Sequence, residues 1–363
     1  MMNDMEKNTE RSIRIFLASL KSEKTRLEYL KSLEKFKKHF QIESFTEYLK
    51  KDPKDIQLDL EDYLLWMREN VFTNSIPTYY HPIQTFLEMN DVMINFKKLR
   101  RLFPERAKTA VERGWTTEEI QKMLKVSDNL RITAVIHFEN VSGGRLGICD
   151  GLLIKHLVPI QDPAYGKCYA ITGYADSKEE YLTFLTPEAT KALDDYLDLR
   201  RAKGETITSE SPVFSKERRT DKAEPAQSSS LGGSIMEVQK KAGLRNPKNK
   251  KHGRFAVQAN HGFRHRFNEI VKSSNLINPH VAERLLSHSS KLLPLDSIYY
   301  HPDLDTMWKE YKKVIPLITI DPTERLLLEK QNLESEVIEL MNMKDDLAKI
   351  KQRLNVSENY QKV

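Results

Sequence analysis

The sequence predicts a mostly α-helical protein carrying one small antiparallel β-sheet, an α+β fold. Three observations predict it. Residues 1 to about 105 show apolar spacing of helical period and no strand pattern. Two alternating runs rich in β-branched and aromatic residues, GKCYAITGY and EEYLTFLTPE, are joined by the polar ADSK, which reads as a β-hairpin. Leucine recurs at 326, 333, 340, 347 and 354, one per heptad, as on a long helix. A chain of 363 residues suits two domains with an appendage. The expected division is a helical domain over 1–105, a basic linker over 106–114, a second domain over 115–320 and a terminal helix over 321–363.

In the first domain, SEKTRLEYLKSLEKFKKHF places Leu27, Leu30, Leu33 and Phe36 on one stripe, with Tyr29 and Phe40 beside it. Ser22 stands at its start, although Thr25-Arg26 makes a poor capping box. DLEDYLLWMREN is expected to start at Asp59 as cap, with Asp62 in the first turn. NSIPTYYHPIQTFLEMN is read as interrupted by Pro77 and Pro82. Lys97, Lys98, Arg100 and Arg101 then lead into a basic connection that would lie on an acidic partner.

The second domain opens at Trp115, with Thr116 or Thr117 capping a helix. RITAVIHFENVSGGRLGICDGLLI reads as a buried helix, a Gly-Gly break and a second helix. KHLVPI is a short strand before the hairpin. TPEATKALDDYLDLRRAKG is a well-punctuated helix, from Thr186-Pro187 to Gly204. Residues 205–233 read as a mobile or partly extended loop, SIMEVQKKAG as a helix, and LRNPKNKKHGRFAVQAN as basic and aperiodic. At the end, Asp321, Pro322 and Glu324 start the heptad helix. Lys330, Val337, Lys344 and Lys351 hold the positions facing its leucines, and they are poor dimer-core residues. The helix therefore either packs on its own chain or pairs, weakly with itself or with another partner.

Composition narrows the function classes. Hydrophobic content of 39% and charged content of 30% indicate a soluble globular protein. The formal net charge of +6 favours an anionic partner only weakly. Cys149 and Cys168 are too few for a disulfide scaffold and offer no metal-ligand spacing, so a reducing compartment is expected and no metal is assigned. No apolar run is long enough to span a membrane, and MMNDMEKNTERS carries no signal-peptide core. The expected location is the cytoplasm, with no membrane partner.

The stretch NHGFRHRFNEIVKSSNLINPHVAERLLSHSSKLLPLDSIYYHPDLDTMW, 260–308, concentrates the chemistry. His261 and Arg264 stand three apart, so on a helix they share a face. His288 follows a helix-like run, and Tyr299-Tyr300 come a dozen residues later. Proton-carrying and cationic groups beside a phenol suit attack on a phosphodiester, with the phosphate charge held by the guanidinium fork. Ahead of this stretch, Lys240, Lys241, Arg245, Lys248, Lys250, Lys251 and Arg254 form a basic run without interleaved acids. They are the expected contacts to a nucleic-acid backbone, which would be salt-sensitive and carry little base information.

These segments together resemble the tyrosine recombinases, the integrase class of site-specific DNA recombinases, over about residues 15–315. HGFRHRF resembles the family's His-x-x-Arg box, LLSHSS its Leu-Gly-His box and SIYYHP its tyrosine segment. SGGRLGICDGLLI resembles the region of the first catalytic arginine, and the SKEEYLTFLTPE hairpin the segment whose turn carries a lysine. GGRLG and YYHP are most similar to integrases of archaeal mobile elements. The resemblance implies a core-binding domain before residue 105 and a catalytic domain over 115–320. It implies DNA cleavage through a 3′-phosphotyrosine with no cofactor, on double-stranded DNA, by a homo-tetramer holding two paired sites.

Under that reading Arg145 and Arg264 clamp the non-bridging oxygens, because their charge is fixed and their donors are forked. A phenol needs help to lose its proton, and His261 is the base. Lys178 protonates the leaving 5′-oxygen, and His288 adds a hydrogen bond. Tyr300 is the nucleophile and Tyr299 the alternative, since neighbours on a helix point about 100° apart. An insertion around Lys291–Pro294 is needed to fit the interval. Ile148 departs from the family's usual acid three residues after the arginine. His265 and Arg266 are read as support or phosphate contacts. The rival readings are a non-catalytic DNA-binding or assembly protein on the same fold and a type IB topoisomerase. Residues 326–354 are expected to join protomers or meet a second factor.

Overall fold

A computed structural model of the full chain describes residues 10–107, 112–217, 223–250, 254–287 and 302–360, with parts of the last helix as backbone alone. His288, Tyr299, Tyr300 and Lys251 lie outside the described residues. The chain divides into two compact units, Met1–Lys108 and Thr109–Val363.

The first unit is helical. It comprises α1 (Arg11–Ser19), α2 (Glu23–His39), α3 (Phe45–Tyr48), α4 (Pro53–Asn70), α5 (Ile76–Met89) and α6 (Phe96–Arg101). Ser22 caps α2 by accepting from the Thr25 amide. Leu33 and Phe36 of the expected stripe are buried, whereas Leu27 is 55% exposed. Two sequence expectations are corrected here. α4 begins at Pro53 with Asp52 as its cap, so Asp59 lies inside the helix, where it accepts from the Tyr48 hydroxyl. An aspartate followed by a proline at the first helical position outcompetes a later aspartate. α5 also runs through Pro82 instead of breaking. An interior proline costs about 3 kcal/mol, and burial of Ile76, Tyr80, Ile83, Phe86 and Leu87 on the same helix offsets it.

The second unit is built on α7 (Thr117–Val126) and α8 (Leu130–Ser142), followed by β1 (Leu157–Asp162), β2 (Gly166–Gly173) and β3 (Tyr181–Leu185). The strands form one antiparallel sheet in the order β1-β2-β3, so KHLVPI joins the expected hairpin as its third strand. α9 (Pro187–Ala202), α10 (Ser228–Lys241), α11 (His261–Ser273), α12 (Pro279–Leu285), α13 (Leu304–Tyr311) and α14 (Ile315–Ile318) complete the unit before α15 (Pro322–Tyr360). Thr116 and Glu119 form a reciprocal capping box on α7, and Thr186 caps α9. From Arg131 on, every residue of α8 except Thr133 is buried, and one apolar core surrounds it.

Two further corrections concern this unit. The segment after Gly143-Gly144 forms two 3-10 turns, Leu146–Asp150 and Ile154–His156, where an α-helix was expected. In the 205–233 segment the partly extended alternative agrees with the bridges Leu153–Pro212 and Ser215–Pro225. Its last six residues, SSSLGG, are already the first turns of α10. Asp150 caps that helix from a distance, accepting from the backbone amide of Ser228 and, at 2.9 Å, from its hydroxyl.

α15 starts as expected, with the Asp321 carboxylate accepting from the Glu324 amide at 2.8 Å. Leu328 touches the core, but Leu326, Leu333, Leu340 and Leu347 are each about 60% exposed. The self-packing alternative for this helix therefore does not hold for these residues. Among the described residues, no helix is long and apolar enough to cross a membrane.

The junction before α15 carries a buried carboxyl. Glu188 accepts from the amides of Ile320 and Asp321, both at 2.9 Å, yet burial raises its pKa to about 7. Its folded pKa lies above the unfolded value, so its stabilising contribution is complete below the ordinary carboxyl pKa. That contribution is lost as pH rises from there to about 7. Glu188→Gln should flatten the decline in thermal stability across this window, measured by melting temperature against pH.

Candidate active site

The site is organised by the C-terminal end of α8. An α-helix ends with carbonyls that have no partner within it. Here they are taken by donors from elements distant in sequence. The Tyr311 hydroxyl of α13 donates to Val141 O at 2.9 Å, the Thr183 hydroxyl of β3 to Ser142 O at 2.8 Å, and Arg264 Nη1 of α11 to Gly143 O at 2.6 Å. Gly143 makes the turn itself in the left-handed region, at φ 60°. A Cβ there would also strike the Phe267 ring at 2.3 Å. Two residues later Arg145 stands exposed at the head of a 3-10 turn.

α11 is seated against α8 by a second buried arginine. Arg266 donates to Asn140 Oδ1 at 3.1 Å and to Thr117 Oγ1 at 2.9 Å, and Asn140 in turn donates to Ile318 O at 2.8 Å. It is a support, as one of its two sequence readings held. Gly262, just inside α11, lets the helix start press on Trp115, because a Cβ there would lie 2.5 Å from Val257 Cγ1 and 2.7 Å from Trp115 Nε1. His261, the first residue of α11, is thereby delivered beside Arg145. The two line one cleft of about 350 Å³ with Glu139, Gln258 and Asn260.

Electrostatics in the cleft favour an anion and a neutral imidazole. Partial desolvation, then the neighbouring His265, and then the Arg264 and Arg145 charges lower the His261 pKa. The ring is therefore neutral near pH 7 and able to accept a proton. His261 and His265 meet edge to face at 4.8 Å, and His265 Nε2 lies 3.4 Å from the Glu112 carboxylate. Arg264 is buried, and its second terminal nitrogen donates to Leu286 O. Each terminal nitrogen carries two hydrogens, so both keep a donor beyond these backbone bonds.

Tyr174 and Tyr181 flank the arginines. Burial raises both phenol pKa values, and the charge of Arg145 works in the opposite direction on each. Lys178 is exposed on the turn between β2 and β3, a turn that begins at Tyr174 and closes with the Asp176 amide donating to Glu180 at 2.8 Å. Ile148 is buried, in contact distance of where a Cβ on Gly173 would lie, so its side of the arginine turn is apolar.

The basic run does not form one free face. Arg245 turns inward, donating to Gln239 Oε1 and Val257 O, both at 2.7 Å, while its guanidinium lies 5.0 Å from the Trp115 ring centre. Burial lowers its pKa. Arg245 is thus engaged within its own unit. Lys240 pairs with Glu237 at 2.7 Å and Lys241 with Asp128 at 3.5 Å, so acids do accompany these cations. Lys248 and Lys250 are exposed, the latter with its ammonium 5.2 Å from the Phe255 ring centre, and Arg254 is exposed as well. Among the described residues no cluster of His, Cys, Asp and Glu could hold a metal ion.

No family model matches the chain, and no curated protein does. Solved structures do match. A lambda integrase fragment, residues 75–356, crystallised as a dimer bound to a COC′ core site, is 14% identical; the match covers 81% of this chain and 95% of that one, at a TM-score of 0.52. XerH site-specific recombinase, in a post-cleavage complex with a palindromic difH substrate, is 16% identical; here 80% and 94% are covered, at a TM-score of 0.50. The fold is that of the tyrosine recombinases. Within it, Arg145 and the α11 pair His261 and Arg264 come together from two places in the sequence, and Lys178 occupies the hairpin turn.

Thr183, Tyr311 and Asn140 were not visible as site residues, because a hydroxyl or amide that satisfies a distant carbonyl leaves no local pattern. Removing one such donor strands a buried carbonyl. Thr183→Val should lower unfolding free energy by about 1–3 kcal/mol, read by urea denaturation, and Thr183→Ser should restore most of it.

Proposed function

We propose that this protein is a site-specific DNA recombinase that cleaves and rejoins double-stranded DNA through a 3′-phosphotyrosine. The observation that carries the reading is the convergence of Arg145 and His261 on one cleft, with Arg264 bonded to the backbone of the arginine turn. Arg145 and the remaining donors of Arg264 would hold the non-bridging oxygens as negative charge develops on phosphorus. Neutral His261 would take the phenolic proton of Tyr300, or of Tyr299. Lys178 would protonate the leaving 5′-oxygen, and His288 would add a hydrogen bond. Energy kept in the phosphotyrosine bond would let religation proceed without a nucleotide cofactor.

The wider reading is integration or excision of a mobile element of archaeal type by a homo-tetramer on two paired sites. The helical domain over 1–105 would serve as the core-binding domain and residues 115–320 as the catalytic one, closing around the duplex across the 106–114 linker. Lys248, Lys250, Lys251 and Arg254, with Lys240 and Lys241 to a lesser degree, would supply phosphate contacts.

A nicked suicide duplex carrying the attachment site tests the chemistry. A covalent protein–DNA adduct is expected, lost in Tyr300→Phe and retained in Tyr299→Phe, with the modified peptide read by mass. No adduct would favour a non-catalytic DNA binder. Relaxation of plasmids without any sequence requirement would favour a type IB topoisomerase.

The heptad leucines exposed on α15 support pairing between protomers. Truncation after Ile320 should lower the oligomeric state, measured by light scattering, and reduce recombination more than cleavage. An unchanged mass and unchanged recombination would refute the pairing.

A further inference from the structure

Glu139 is the buried ionisable group that the proposed chemistry leaves unused. It lies in the last turn of α8, is 2% exposed, and lines the same cleft as Arg145 and His261. Its Oε2 is buried and has no hydrogen-bond partner. Asn260 Oδ1, lining the cleft from the residue before α11, is buried and unpartnered as well. An unpaired polar oxygen is costly where water cannot reach it. Two such oxygens at one cleft mark a place where a ligand completes the hydrogen bonding.

We infer that Glu139 acts as a neutral carboxylic acid whose O–H donates to the scissile phosphodiester, making it a further catalytic residue of the site. The inference rests on the phosphoryl-transfer reading above. A carboxylate could not fill this role, since it would repel the phosphate that Arg145 attracts. Burial raises the Glu139 pKa well above the carboxyl range, which keeps the proton in place.

The groups around it agree with that state. The 3-10 turn contributes Arg145 and the buried Cys149 thiol, whose own pKa is raised by burial and then by Glu139. α11 contributes His261, held neutral. β3 contributes the Tyr181 phenol, beside Gly144. On α9, Glu188 bonds to Ile320 and Asp321, and on α10 the neutral Gln239 bonds to Ala259 and Arg245. No cation is paired with Glu139 among the described residues.

Two variants of the full chain test the assignment on the nicked suicide duplex. Glu139→Gln keeps a donor of the same shape and should form adduct within about threefold of the natural protein at neutral pH. The ratio of its rate to the natural rate should rise with pH, because Glu139 ionises and an amide does not. Groups common to both proteins cancel in that ratio. Glu139→Leu removes an unpaired buried carboxyl, so it should melt higher while losing about 10²-fold in adduct formation.

A pH-independent ratio, or a Leu variant that keeps the natural rate, would overturn the assignment. A Leu variant that loses activity together with stability would show a merely structural carboxyl and overturn it too. Absence of adduct with the natural protein would instead sink the recombinase reading, and this inference with it.

Discussion

Everything at the candidate site depends on how one helix ends. α8 is buried, so its terminal carbonyls cannot turn to water, and each must be met by a protein donor or remain unpaired at a cost. Tyr311, Thr183 and Arg264 meet three consecutive ones from three different elements. The turn that follows has few conformations left to it. Arg145 therefore leaves the protein at a set point, and its exposed guanidinium need not be held by any ion pair of its own. A side chain positioned by backbone satisfaction stays available to a ligand, whereas one positioned by a carboxylate would already be neutralised.

The two arginines consequently differ in kind. Arg264 is buried and spends one donor of each terminal nitrogen on Gly143 and Leu286, which joins α8, α11 and the end of α12 at one point. Its charge remains and acts with that of Arg145 on His261. Two guanidinium groups beside a neutral imidazole favour an anion. Under the proposed function, a phosphodiester would satisfy that demand and carry the charge that grows during attack. Seating α11 through Arg266 and Asn140 matters for the same reason, since a shifted helix would carry His261 out of the cleft.

Much of the fold was legible because helix starts are written locally. Thr116 with Glu119, Thr186-Pro187 and Asp321-Pro322 each place a cap beside a helix-compatible residue, and each is used. Errors came where distant contacts overrode local signs. Pro82 is tolerated because its helix face is buried, and SSSLGG is helical because Asp150, far away in sequence, supplies the cap. The hairpin was readable from alternation, but the pairing of β1 with β2 was not, since strand order is a tertiary outcome. At the site, spacing put His261 and Arg264 on one face, and their place before LLSHSS and SIYYHP singled them out. Arg145 took its meaning only from surrounding motif residues, and the cation–π contact of Arg245 with Trp115 cannot be seen in a run of basic letters. Glu139 gave no sign at all, looking like any polar residue within an apolar helix.

The central claim is that Arg145 is held free in order to neutralise charge on a phosphate. Its most direct measurement replaces that charge chemically. A suicide duplex with a neutral methylphosphonate at the scissile position should be cleaved by Arg145→Ala about 10-fold or more faster than the ordinary phosphate is by the same variant. The arginine's task is already done in that substrate. Equal and negligible cleavage of both duplexes by Arg145→Ala, with the natural protein active on the ordinary one, would contradict the account.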